Sequence, residues 1–543
     1  MRLGNIKWKK VLTENYLLCI MSALLLFFVG YVIYISFSYY WDNFHSDIAA
    51  DLAFVREAAR QFRLFPYGWP HLQEMRVVHI TTIMIPFYWI TGNINLSYPL
   101  ATSFMVLVNV YLFYWMLNYR KRSLLPIVIG AIVLLITFSR YTQVSVFSIL
   151  FINSSLAPTL SVIFATIGFY MRLKTASTPG KLLVYRILWA VLLLLAFLGG
   201  IQSSRLLLGL YIPLLIIEVY DLVGKILENK SFKAKNIEKS AIFVALCFAL
   251  NVLGVLVIMR QINSGAVLVE WGLVTTGLSI SANNSIWPNL ERFLPEFIAA
   301  FGMFGGSSVF SSEGIVYLGR LGLIAAGLVM YKKINKLSDY ENKDKSIFYI
   351  FIASVAALSF AMVFVRTGIG ERFIFPVTAM LGVLFVYIAD YFVENNRKVL
   401  CLIMCAVIFV MTVLSIPAIT MERRESHVQN RQTVADFIRN EGFTIGYGVF
   451  WQGLVIAAVA DYDFTVISIC DVQRPRLVPR PHGVSMQDFN HDEDRVFLII
   501  AANHANDAMG NDQSRAILES GVRHEFPGGW LVYTFEQNPW RVR

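Results

Sequence analysis

The sequence predicts a mainly α, polytopic membrane protein: a helical bundle over residues 1–420, followed by a soluble extracytoplasmic α/β domain at 421–543. Three observations carry this. The 543-residue chain is 57% hydrophobic and only 15% charged, whereas soluble domains are nearer a quarter charged. Apolar runs of roughly 20 residues, the length needed to cross a hydrocarbon core about 30 Å thick, recur as far as residue 419. Beyond that point the chain turns polar, and its apolar runs shorten.

Taken in order, the apolar runs give about eleven transmembrane helices, near 15–38, 97–118, 123–139, 154–171, 182–200, 205–223, 240–260, 314–331, 346–365, 373–393 and 398–419. The first is too long for a signal segment and lacks a small-residue cleavage site, so it reads as a retained anchor. The stretch "VVHITTIMIPFYWITG" at 77–92 is short and contains His79, Pro86 and Gly92. Basic loops decide its place. "NIKWKK", "RKR" at 120–122, and the loops ending at Lys181, Lys239, Lys345 and Lys398 share one side only if 77–92 does not cross. It then reads as a juxtamembrane helix at the outer surface. The amino end is therefore expected in the cytoplasm. Large outer loops are expected at about 39–96 and 261–313, with shorter ones at 140–153, around Arg205 and at 366–372.

The net charge of +10 comes mostly from these orienting loops, so it implies no nucleic-acid partner. Four of the five Cys lie in apolar spans and Cys470 in the tail, with no disulfide or metal spacing. In the tail, "TIGYGVFW", "TVISI", "RVFLIIAA" and "WLVYTF" read as strands. "NRQTVADFIRNEGF" reads as an amphipathic helix stopping near Gly442. Trp451, Trp530 and Tyr533 are rings suited to stacking on sugars or, more simply, to packing a core.

The outer loop opens with "YYWDNFHSDIAADLAFVREAARQFRLFPYGWPH", residues 39–71. It sets Asp42, His45, Asp47 and Asp51 just beyond a span. Read as a helix, Asp47 and Asp51 are four apart and share a face, and like charges at that spacing need compensation. Arg56, Arg60, Arg63, a cation or a substrate proton could supply it, and Phe54 could anchor the helix in the membrane interface. The plain alternative is a solvated polar face. "RTGIGERFIFP" places Arg366, Glu371 and Arg372 at a span boundary, and Arg205 follows "GGIQSS" at another. Guanidinium suits bidentate phosphate contacts. The plain alternatives are snorkelling side chains and a Glu371–Arg372 pair. His45, His71 and His79 lack tight ligand spacing for a metal.

This order of elements resembles the C-type glycosyltransferase superfamily, the GT-C fold. "SDIAADLAFVREAAR" is similar to that superfamily's first-loop aspartate motif, with Asp47 at the aspartate. "GERFIFP" is similar to its late "ERFxFP" element. The "K-P-P-L-Y" run of aminoarabinose and protein mannosyl transferases is replaced here by "MRVVHITTIMIPFYWITG", and the tail lacks the "W-W-D-Y-G" run of oligosaccharyltransferases. The resemblance implies an inverting transferase of a bacterial cytoplasmic membrane. It would move a sugar from a polyprenyl-phosphate carrier to a cell-envelope glycan or glycolipid on the outer face. Asp47 would be the catalytic base, with Asp42, His45 and Asp51 around the acceptor, and Arg372, Arg205 and Arg366 would bind the donor phosphate. No cofactor is required, though Asp47 with Asp51 leaves room for a divalent metal. The rival readings are a transporter or flippase of lipid-linked glycans and a non-catalytic assembly protein. A transporter would carry ionisable residues within its spans, whereas here they gather in outer loops.

Overall fold

The computed structural model describes residues 8–541 apart from 43, 72–74, 121, 144, 176–181, 230–237, 268–285, 304–307, 309, 337–344, 365–368, 421–424, 470–475 and 482. Part of the expected loop 261–313, namely 268–285, 304–307 and 309, lies outside the described residues together with Arg366 and Cys470. The chain forms two compact units, one comprising 1–35, 102–258 and 274–420, the other 36–101, 259–273 and 421–543.

Among the described residues, nine helices are long and apolar enough to cross a membrane, so the count of about eleven is not confirmed. The difference lies at 123–139 and 154–171. Leu124–Thr137 is a short apolar helix that ends in a π-turn, Val133–Thr137. At 1.5 Å per residue it is about 20 Å long, less than a hydrocarbon core. Ala157–Lys174 has 18 residues, with Pro158 in its first turn and Arg172 and Lys174 in its last. Both helices are buried along most of their length. The helix Ile80–Thr91, with 12 residues, is likewise too short to span.

In the first unit, small residues let helices approach. A Cβ on Gly200 would sit 2.0 Å from the Asn251 carbonyl oxygen, and one on Gly254 would sit 2.2 Å from that of Phe197. Only glycine permits this backbone contact between Leu182–Gln202 and Lys239–Asn263. Asn251 fixes the register by donating from Nδ2 to the Ala196 carbonyl at 2.8 Å. A charge is also fully buried within a candidate span, so the expectation that ionisable residues gather only in outer loops is corrected. Arg320, in the helix Ser312–Lys336, is 0% exposed. It donates from Nε to the Thr137 carbonyl (3.1 Å), from Nη2 to the Ser139 carbonyl (2.6 Å) and Ser415 Oγ (2.8 Å), and from Nη1 to the Gly302 carbonyl. These acceptors are backbone carbonyls and a hydroxyl. They include the carbonyl-rich end of Leu124–Thr137, where a helix favours a cation.

The second unit is built on a six-stranded sheet. Its strands are β1 (Ile445–Val449), β2 (Thr465–Ile469), β3 (Pro479–Arg480), β4 (Val496–Ala501), β5 (Val522–Phe526) and β6 (Trp530–Phe535). Their order is β3-β2-β1-β4-β6-β5. β2, β1 and β4 run parallel; β3, β6 and β5 pair antiparallel. The inner strands are nearly continuously buried, as expected for strands covered on both faces. The helix Glu425–Asn440 precedes β1 and ends before Gly442, whose φ of +72° is a left-handed stop. All four expected strand runs are present, but "GYGVFW" splits after Val449, and Phe450–Val459 is a helix. Tyr533 belongs to the core, whereas Trp530 is partly exposed.

The same unit includes the loop helix Ser46–Gln61. Tyr462 donates its hydroxyl to the Ala49 carbonyl at 2.5 Å, and Arg56 donates from Nη1 to the Tyr462 carbonyl at 2.7 Å. That helix is therefore bonded to the segment following Phe450–Val459. Phe54, expected as an interface anchor, is 1% exposed. Its ring packs against Trp69 and beneath the Arg76 guanidinium, so this expectation is corrected: Phe54 is core.

Candidate active site

In the second unit the chain enters Ser46–Gln61 through an N-cap made by a histidine. His45 Nδ1 accepts the Asp47 amide proton at 3.2 Å, which satisfies one of the unpaired amides of the first turn. Asp47 follows in the first helical turn, where the helix dipole favours a carboxylate. Its side chain is 49% exposed, and its Oδ2 lies 3.9 Å from His45 Nδ1. Asp42, partly exposed, lies in the field of Arg431.

Asp51, one turn on, is in a different situation. Arg76 donates from Nε to Asp51 Oδ1 at 2.7 Å, and the two side chains are only 10% and 8% exposed. The compensation expected for paired carboxylates thus comes from Arg76. Arg56 is bonded to the Tyr462 carbonyl, and Arg60 donates to both Glu57 carboxylate oxygens from one guanidinium edge, Nε at 3.0 Å and Nη2 at 2.8 Å. Of the two carboxylates, only Asp47 presents itself to solvent.

The histidines serve the backbone and the core. His79 caps Ile80–Thr91 by accepting from the Thr81 amide. His71 is buried against Phe54 and Phe65. Burial, and secondarily the nearby Arg76 charge, pushes its pKa down to about 3. Among the described residues, no three His, Cys, Asp or Glu side chains gather in a metal-holding group.

In the first unit, "GERFIFP" forms a short 3₁₀ turn, Glu371–Ile374, before the helix Pro376–Glu394. Proline at the first position of that helix explains the turn, since it cannot donate to a preceding helical carbonyl. Glu371 and Arg372 do not form the neutralising pair that their adjacency suggested. Glu371 points inward and accepts from Arg140 Nη2 at 2.8 Å and from Thr142 Oγ1 at 3.4 Å. The Glu371 amide donates to Glu296 Oε2 at 2.7 Å. Arg372 is partly exposed, and its guanidinium carbon lies 5.1 Å from the Phe373 ring centroid. Arg205, from the turn after Leu182–Gln202, lies 5.4 Å from the same centroid. The structure thus brings two of the three candidate phosphate-binding arginines onto one aromatic ring; Arg366 lies outside the described residues. A cation over a ring face is weakly held, at about 0.5–2 kcal/mol. The ring therefore helps to orient both guanidinium groups.

Three participants were missed in the sequence: Arg76, Arg140 and Phe373. Arg140 opens a loop that reads as polar, and its partner is 231 positions away. Phe373 is one aromatic in an aromatic-rich element. Arg76 was visible as a charge between apolar runs, but its partner depended on the loop's path.

No family model matches the chain, and none of the curated proteins matches it. Among solved structures, the fold is similar to the crystal structure of ArnT from Cupriavidus metallidurans bound to undecaprenyl phosphate. The TM-score is 0.55 at 11% identity, covering 94% of this chain and 97% of that one. At this identity the likeness is one of fold: the chain shares the overall fold of that membrane protein.

Proposed function

We propose that this chain is an inverting glycosyltransferase of a bacterial cytoplasmic membrane, moving a sugar from a polyprenyl-phosphate carrier to a cell-envelope glycan or glycolipid on the outer face. The observation that carries the reading is the contrast between two carboxylates one turn apart: Asp51 is consumed by a buried ion pair, while Asp47 stays open to solvent. The GT-C fold, shared with a protein crystallised with undecaprenyl phosphate, supports the choice of donor class.

The chemistry follows from the residues. Asp47 accepts the proton of the acceptor hydroxyl as that oxygen attacks the anomeric carbon. The new C–O bond forms on the face opposite the departing phosphate, so configuration inverts. The bond from the anomeric carbon to the phosphate oxygen breaks, and the electron pair leaves on polyprenyl phosphate. Arg205 and Arg372, oriented by Phe373, meet the charge that grows on that group. His45, by fixing the first helical turn, positions Asp47. No step in this scheme requires a metal.

The test is transfer by purified protein from synthetic polyprenyl-phosphate sugars to glycan and glycolipid acceptors, with and without a chelator. Product of inverted anomeric configuration is expected in both cases. Movement of intact donor across proteoliposomes without transfer would replace this reading with a flippase.

A further inference from the structure

The second unit contains a cavity of about 310 Å³ that the chemistry above does not use. One wall is the helix Ser46–Gln61, through Arg56, Glu57 and Arg60, joined by Trp69. The other is the tail, through Asp463 and Asp488. Positions 53, 56, 57 and 60 make one stripe of the helix, whereas Asp47, Asp51 and Phe54 lie on another. The cavity is therefore separate from the face that bears the proposed base.

We propose that this cavity is a binding subsite for a neutral sugar ring. Its charges argue against an ion. Arg60 is held by Glu57 at 2.8 Å, and Arg56 is bonded to the Tyr462 carbonyl at 2.7 Å. Asp463 accepts from Arg439 Nε at 2.7 Å, and Asp488 accepts from Ser485 Oγ at 2.8 Å. Each charge thus has a partner, so an added ion would compete with existing contacts. Paired carboxylates still keep lone pairs, and guanidinium groups still keep N–H donors. Such a lining suits a ligand that donates and accepts through hydroxyls and carries no net charge. Trp69 supplies an apolar wall for the C–H face of a ring, and the volume falls at the lower end of small-molecule sites. The choice of a sugar over other neutral polyols rests on the glycosyltransferase reading; the subsite would hold a unit of the acceptor glycan away from the reacting hydroxyl.

The test uses full-length protein in detergent without donor, probed by saturation-transfer NMR with the methyl glycosides of glucose, galactose, mannose and N-acetylglucosamine. Magnesium chloride and inorganic phosphate serve as competitors. At least one glycoside should receive saturation on its ring protons, and neither ion should displace it. Asp463→Ala removes a half-exposed acceptor and should weaken binding at least about tenfold, the scale of one hydrogen bond to a charged group. Ala53→Phe, which narrows the cavity, should abolish the signal in protein that retains its unfolding temperature. No transfer to any glycoside, an undiminished signal in both variants, or displacement by either ion would overturn the proposal. Loss of this signal with transferase activity intact would remove the subsite alone; a persisting signal in protein that transfers no sugar would remove the enzyme reading alone.

Discussion

Replacing Asp47 and Asp51 by Asn, one at a time, separates catalysis from stability within a single helical turn. Asp47 is half-exposed, with His45 at 3.9 Å. Contacts of that kind contribute about 0–1 kcal/mol, and a first-turn carboxylate adds about 0.3–1 kcal/mol through the helix dipole. Asp47→Asn should therefore shift unfolding by no more than about 1–2 kcal/mol. A general base typically contributes 10²–10⁴-fold, or about 3–5 kcal/mol of barrier, so turnover should drop at least about a hundredfold with donor affinity nearly intact. Asp51 and Arg76 are 8% and 10% exposed at 2.7 Å. Removing one member of a buried pair strands the other charge, at about 3–5 kcal/mol. Asp51→Asn should therefore unfold markedly earlier, while turnover per folded molecule falls only modestly. Thermal unfolding in detergent and single-turnover transfer, each normalised to folded protein, read the two quantities. Near-normal turnover in folded Asp47→Asn would refute the assignment of the base. Abolished turnover with undiminished stability in Asp51→Asn would point to a shared metal or exchanged roles.

If Arg372 and Arg205 bind the donor phosphate as proposed, Arg372→Ala and Arg205→Ala should each raise donor KM as turnover falls, because such a contact acts in both ground and transition states; a change in turnover alone would count against donor binding. Cysteines introduced near Lys121 and near Gly370 should be labelled from opposite sides of the membrane, as the one-sided basic loops require; labelling of both from outside would overturn that topology. His71 predicts a pH dependence. Its folded pKa of about 3 lies below the ordinary 6.5, so below about 6.5 the unfolded chain takes up a proton that the folded one refuses. Stability is complete above that pH and falls as pH drops toward 3, by up to about 1.4 kcal/mol per unit. His71→Gln should flatten this slope between pH 6.5 and 4.5, and an unchanged slope would show that other groups set it.

The bundle and the tail's mixed architecture were legible because both follow from local pattern: apolar length for spans, and short β-rich runs bounded by turn residues for strands. The number of spans was less legible. Leu124–Thr137 and Ala157–Lys174 are buried along most of their length, and a helix buried in protein and one buried in lipid are both apolar. At the candidate site, the position of Asp47 on a helix after the first span was readable. Its distinction from Asp51 was not, because that depends on Arg76, which is 25 residues further along the chain. The plain alternative of a Glu371–Arg372 pair fails for a related reason: the partner of Glu371 is Arg140, from another loop.

The carbonyl cage around Arg320 also bears on how the chain is made. A charged side chain is costly inside a bilayer until its donors are satisfied. Three of its four acceptor residues, Thr137, Ser139 and Gly302, precede Arg320 in the sequence, and only Ser415 follows. Synthesis from the amino end therefore delivers the receiving carbonyls before the cation that needs them. The helix Ser312–Lys336 can surrender its charge to groups already emerged, without waiting for a later acidic span. The last acceptor to arrive is a neutral hydroxyl, which closes the cage after the charge has been housed.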